Sequence, residues 1–152
     1  SKIYTLLPSY LFIEINEIIP VGIYQKDNKM FFIDVNTNSI EADSKALNFF
    51  NVPIILNLDE NNDKNIVTYL LKDILRKNQN LYLSINEIFI NNKSMEIILS
   101  GNTKIIFNKN NSNKELKILL KFIDKIEDIK NLSSYKYIDL RVENQIIVKE
   151  II

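Results

Sequence analysis

The segment ELKILLKFIDKIEDI, Glu115 to Ile129, repeats its apolar residues at helical spacing, with Leu116, Leu119, Leu120, Ile123 and Ile126 on one stripe and charge elsewhere. A helix of this kind must lay that stripe on another layer. Ser112 and Glu115 stand at capping-box spacing and predict where it starts. The run IVTYLLKDILRKN makes the same demand: Val67, Leu70, Leu71 and Ile74 share a stripe, Lys72, Asp73 and Lys77 are left to solvent, and Asp63 stands at the N-cap position. Two one-faced helices in one chain require a sheet or a third helix to cover them, and the remaining sequence reads as strands.

LFIEINEI alternates, with Leu11, Ile13 and Ile15 on one side and Glu14 and Asn16 on the other, until Pro20 ends it. VGIYQKD, KMFFIDVN and NSIEAD predict a meander, turned at Asp27-Asn28 and at Asn36-Thr37-Asn38. Asp43 or Ser44 caps a short helix reaching Phe50, which is expected to bury Leu47 and Phe50 before Pro53 resets the backbone. LSINEIFI, SMEIILS and TKIIFN are three further strands, separated by Asn91-Asn92-Lys93 and Gly101-Asn102. In YKYIDLRV the alternation puts Tyr135, Tyr137, Asp139 and Arg141 on one face and Ile138, Leu140 and Val142 on the other, so Asp139 and Arg141 are neighbours able to pair. Glu143-Asn144-Gln145 predicts a turn, after which Ile146, Val148 and Ile152 oppose Ile147, Lys149 and Ile151. The order of elements fits an α+β domain with helices packed on one face of a mostly antiparallel sheet. The final run is apolar on both faces apart from Lys149 and Glu150. Either an earlier strand covers it, or it is an open edge that invites another chain's strand.

Charge and composition exclude several functions. Lys+Arg and Asp+Glu are both 19, so no basic excess faces a phosphate backbone, and nucleic acid is not an expected partner. With no His, Cys or Trp, the usual metal ligands, thiol nucleophiles and the commonest general base are missing, and neither an enzyme nor a cofactor is expected. Asp34-Val-Asn36-Thr-Asn38-Ser39 imitates a calcium loop, but Ser39 replaces the turn glycine and Lys45 the last ligand; Asp59, Asn61 and Asp63 fail in the same way at Lys64 and Leu70. The carboxylate neighbours Glu14 and Glu17, Asp124 and Glu127, and Glu127 and Asp128 come with no apolar cleft to separate their pKa values, and read as solvated charge. The opening SKIYTLLPSYLF lacks the parts of a signal peptide, and no apolar run reaches membrane-helix length. A chain that opens on Ser is read as a fragment, which leaves room for an anchor upstream.

The closing motif YIDLRVENQIIV resembles that of the FtsQ/DivIB family of bacterial cell-division proteins, and other segments agree in order. PSYLFIEINEIIPVGIY is similar to the family's P-x-x-L-x-I-x-x-x-E-x-x-P-V strand, through Pro8, Leu11, Ile13, Glu17, Pro20 and Val21. FFIDVNTNSI resembles its "hydrophobic-D-x-x-G-x-hydrophobic" segment, with Asn38 near the place of the turn glycine, where a left-handed Asn is tolerated. Val52-Pro53-Ile54-Ile55 resembles its L-P-x-I stretch without the glycine that often follows, and the small residues common around Asn144 and Gln145 are also absent. The resemblance implies that residues 1–18 are the last strand of a POTRA domain and residues 19–152 the family's β domain, a curved, mostly antiparallel mixed sheet backed by helices, standing outside the cytoplasmic membrane on a single-pass anchor. It further implies a non-enzymatic division scaffold that recruits FtsB/DivIC-like and FtsL-like partners and so regulates septal cell-wall synthesis. In the family the partner adds a strand to the last strand of the β domain, which falls here on Val142, Asn144, Gln145, Ile146, Ile147 and Val148; Asp139 and Arg141 hold strand geometry. Proline at Ile147 is then expected to block capture without unfolding the domain. The alternatives are an extracytoplasmic cell-wall-binding or glycan-acting domain, or an unrelated adhesin-like interaction module.

Overall fold

The computed structural model describes residues 2–6, 10–14, 17–126 and 128–151. At the amino end β1 (Lys2–Leu6) pairs antiparallel with β2 (Tyr10–Glu14). The predicted run LFIEINEI is strand in its described part, through Glu14, and its partner β1 escapes a reading based on alternation. Pro8, Ile15 and Asn16 lie outside the described residues, as do the side chains of Leu11, Ile13 and Glu14. Pro20 opens a strand rather than closing one: it is the first residue of β3 (Pro20–Lys26), where a missing N–H costs little.

The main sheet has nine strands, built from β3, β4 (Lys29–Asp34), β5 (Ser39–Glu41), β6 (Ile54–Leu56), β7 (Ile85–Ile90), β8 (Ser94–Leu99), β9 (Lys104–Asn108), β10 (Tyr135–Asp139) and β11 (Ile147–Glu150). Their order across the sheet is β11-β10-β9-β8-β7-β6-β3-β4-β5. Consecutive hairpins give antiparallel pairs, and the β3–β6, β6–β7 and β9–β10 pairs are parallel. A parallel pair needs a crossover, and helices supply two: α2 (Lys64–Lys77) with α3 (Gln79–Leu83) between β6 and β7, and α4 (Ser112–Ile126) between β9 and β10. The predicted α+β class with a mostly antiparallel mixed sheet is what forms. β6, a three-residue strand between Pro53 and the left-handed Asn57, is too short for its alternation to be read.

Under α2 and α4 a row of side chains crosses the sheet in register: Tyr24, Ile55, Ile88, Ile97, Ile105 and Ile138, all buried. The α2 stripe Val67, Leu70, Leu71 and Ile74 and the α4 residues Leu116 and Leu119 close over it. Gly22 allows the closest approach, since a Cβ there would stand 2.6 Å from Ile55 Cδ1 and 3.3 Å from Leu71 Cδ1. The short helix α1 (Ser44–Phe49) is capped by Asp43 as predicted, the Ala46 N–H donating to its carboxylate at 2.7 Å. It does not bury Leu47, which is 39% exposed. The half-buried Phe50 instead meets Phe32 edge-on at 5.5 Å. Phe32 pairs with Ile23, one residue out of phase with Tyr24, so this contact lies on the sheet face opposite the two long helices.

Three predicted caps and turns form differently. A 3-10 turn (Lys109–Asn111) precedes α4, so Ser112 is already helical; Asn108 caps the turn, and Glu115 reaches past Ser112 to accept from the Asn108 N–H at 2.7 Å. Asp63 stands before α2 without a side-chain cap bond, because Lys109 holds its carboxylate at 2.6 Å. In the β4–β5 turn the left-handed residue is Thr37 (φ 68°), not Asn38. Asn38 is fixed by Asp34, whose carboxylate accepts from the Asn36 N–H, the Asn38 N–H and Asn38 Nδ2, each at 2.8 Å, leaving its neighbour to absorb the turn.

Candidate functional site

β11 is a terminal strand of the nine-stranded sheet and pairs only with β10 among the described residues. Every residue from Ile147 to Ile151 is exposed. The buried row described above reaches Ile138 and then Val148, its register partner on β11, which is 38% exposed. Among the described residues no strand lies beyond β11, and the row ends there.

Two backbone bonds fix which groups on β11 are free. The Ile151 N–H donates inward to the Ser134 carbonyl at 2.9 Å, and the Leu140 N–H donates to Ile106 on β9 at 3.0 Å. Strand N–H groups alternate sides, so Asp139 and Tyr137 face β11 and meet Ile147 and Lys149, their register partners. Val148 and Glu150 then turn their N–H and C=O groups away from the sheet. The side chains divide on the same alternation: Val148 lies on the helix face with Ile138, and Ile147 and Lys149 on the far face with Asp139 and Tyr137.

Of the residues singled out from the sequence, Ile147 and Val148 lie on this edge strand, and Ile146 enters it half-buried against the core. Val142, Asn144 and Gln145 occupy the preceding turn, closed by the Gln145 N–H to the Val142 carbonyl at 3.1 Å, with Asn144 left-handed at φ 57°. Val142 and Asn144 instead line a recess of about 210 Å³ against α4, together with Lys114, Glu115 and Ile118. Burial pushes the Glu115 carboxyl up. Glu150, absent from the sequence-derived set, shares the outward backbone parity of Val148; Ile152 lies outside the described residues.

Asp139 and Arg141 pair as expected. The guanidinium donates at 2.9 Å and 2.6 Å, and the Arg141 N–H donates to the same carboxylate at 3.1 Å. Tyr135 does not share their face. A bulge between Tyr135 and Tyr137 inserts Lys136, so Tyr135 turns inward and packs edge-on against Phe122 of α4 at 5.7 Å. The Arg141 hydrogen bonds hold the Asp139 carboxyl below its ordinary value despite opposing desolvation. A lowered carboxylate pKa stabilises the fold above the unfolded value, near 3.9, and that contribution is lost as pH falls through the folded value. Asp139→Asn is expected to cost about 1 kcal/mol at neutral pH, modest because Arg141 is half-exposed. In urea titrations the gap between the two proteins should close as the pH falls below about 4; a gap that stays constant would refute the assignment.

Of the carboxylates weighed for other chemistry, Asp59 and Asp63 are tied up. Asp59 and Asp63 line a polar recess with Asn62, Lys93 and Lys109. Asp63 is ion-paired to Lys109, and hydrogen bonds from Asn62 and Asn61 pull the Asp59 carboxyl down rather than up. Asp124 and Asp128 are exposed, and Glu127 lies outside the described residues. Among the described residues no three His, Cys, Asp or Glu side chains cluster as a metal site, and no helix is long and apolar enough to cross a membrane.

No family model matches the chain, and no curated protein matches it. Among solved structures it is similar to one from Geobacillus stearothermophilus. That structure is the major extracytoplasmic domain of the trans isomer of the bacterial cell division protein DivIB. The identity is 6%, the match covers 76% of this chain and 99% of that one, and the TM-score is 0.47.

Proposed function

We propose that this chain is a non-enzymatic cell-division scaffold that captures an extended segment of an FtsB/DivIC-like partner, in company with an FtsL-like protein, by adding it as a tenth strand beside β11. The observation that carries the proposal is the free edge itself: Val148 and Glu150 direct backbone donors and acceptors outward, and the buried row of the sheet stops at a half-exposed Val148. The order of motifs resembling FtsQ/DivIB supports the setting: residues 1–18 as the end of a POTRA domain, residues 19–152 as the β domain, and the whole held outside the membrane by an upstream anchor. A glycan-acting site needs paired carboxylates with separated pKa values. The Asp59 and Asp63 recess offers one carboxylate in an ion pair and one held down by its neighbours, which does not favour that reading.

Amide exchange tests the proposal residue by residue. Alone, the chain should exchange the Val148 and Glu150 amides fast and the Lys149 and Ile151 amides slowly. A synthetic peptide from the C-terminal segment of an FtsB/DivIC-like protein should slow Val148 and Glu150 selectively. Protection confined to some other surface, with these two amides unchanged, would overturn it.

A further inference from the structure

Two salt bridges tie the ends of the α4 segment to the ends of the β11 segment. Lys114, at the start of α4, reaches Glu143 in the turn before β11 at 3.1 Å, and Lys130, just beyond α4, reaches Glu150 at the end of β11 at 2.6 Å. The helix therefore runs alongside the strand, with a lysine at its start and another just past its end spanning the gap. Between those bridges lie Lys121 and Lys125, at i+7 and i+11 from Lys114 and so on the same line of the helix. Both are exposed, and neither has an ion pair among the described residues. The chain between Glu143 and Glu150 on the edge side holds no further carboxylate. Asp124 and Asp128, their neighbours in sequence, are exposed and bridge to neither.

The acidic groups near the edge are already matched. Asp139 is held by Arg141, Glu143 by Lys114 and Glu150 by Lys130, whereas Lys149 on the far face has no ion pair among the described residues. Below the lysine line the flank of α4 is apolar: Ile118 and Phe122 are half-buried and continue toward Ile146 and Val148. A strand added to β11 would thus place every second side chain along an aliphatic floor beneath a lysine rim.

We propose that the segment taken up at β11 is an acidic, apolar strand whose carboxylates lie on its helix-facing side and pair with Lys121 and Lys125. This rests on the strand-addition reading and names the chemistry of what that edge selects. Backbone bonding holds any extended chain, and the rim discriminates among them by charge.

The probes are two capped ten-residue peptides that alternate Val with Glu or Val with Gln, titrated against the full 152-residue chain. Two exposed ion pairs predict about fivefold tighter binding of the Glu peptide at low salt, about 1 kcal/mol, with the preference lost near 0.5 M salt. The double variant Lys121→Gln/Lys125→Gln should bind both peptides alike, at the level of the Gln peptide. If both peptides bind equally well to the unaltered chain and Val148→Pro abolishes both, strand addition stands and the acidic preference is wrong. If Val148→Pro leaves both unaffected, or neither peptide binds, strand addition fails and the preference with it. A chain that already sediments as a dimer, and reverts to monomer with Val148→Pro, would show a second copy as the occupant and overturn the proposal as well.

Discussion

Val148→Pro is expected to abolish partner capture, weakening it at least about a hundredfold, while moving the melting temperature by no more than about 2 °C. The Val148 N–H bonds nothing within the sheet, so its loss costs the free protein little, and Ile147 before it is already extended as a residue preceding proline must be. In the complex the same change removes a donor and places a ring where the incoming strand's carbonyl must approach. Ile147→Pro, the natural choice from sequence, acts on a different ladder. The Ile147 N–H faces Asp139 of β10, so that substitution loosens β11 from its own sheet and should lower both stability and binding. The contrast between adjacent positions is the diagnostic. Equal loss of stability from both prolines would mean that the strand parity is wrong, and normal capture by Val148→Pro would mean that the partner does not add at this edge.

How much of this was legible in the sequence differs by element. The α2 and α4 stripes were plain because each repeats one apolar spacing over several turns, and a helix has a single way to bury it. The last strand was legible only as a choice: Ile147, Val148 and Ile151 with only Lys149 and Glu150 between them suit neither a half-buried strand nor a solvated one, which left a covered strand and an open edge as alternatives until the strand order put it at the end of the sheet. The caps were less so. Glu115 and Asp63 each stand at an N-terminal signal position, but the structure gives them to Asn108 and Lys109, residues of a turn whose 3-10 geometry leaves no periodic trace. The face of Tyr135 was lost to a one-residue bulge, which inverts every assignment before it and which alternation alone does not reveal. At the site, the sequence marked the run but not which of its groups point outward. Val142, Asn144 and Gln145 fell in the same run as Ile147 and Val148, and only the bonds of Leu140 and Ile151 separate turn from strand and outward groups from inward ones.

The largest stability effect is expected at the join between α2 and α4. Lys109 sits in the turn that leads into α4 and donates to Asp63 before α2 at 2.6 Å, with the two side chains only 15% and 7% exposed. The two starts of the main helices are thus tied by one shielded pair. Lys109→Met keeps most of the apolar stem but strands the carboxylate, which should cost about 3 kcal/mol, or roughly 6–12 °C in melting temperature. The lower end of the usual range applies because the amino end of α2 also faces Asp63 and offsets part of the lost charge. Asp63→Asn alone should cost less, since the long Lys109 side chain can carry its ammonium out to water, whereas a carboxylate on a short stem cannot. In the Lys109→Met background, Asp63→Asn should therefore restore stability rather than reduce it further. A double variant whose loss equals the sum of the two single losses would show that the pair is uncoupled and that the cost of Lys109→Met lies in its packing. Peptide capture at β11, measured below the melting transition, should be the same in all three variants, because the tie secures the helices to each other and no part of it reaches the open edge.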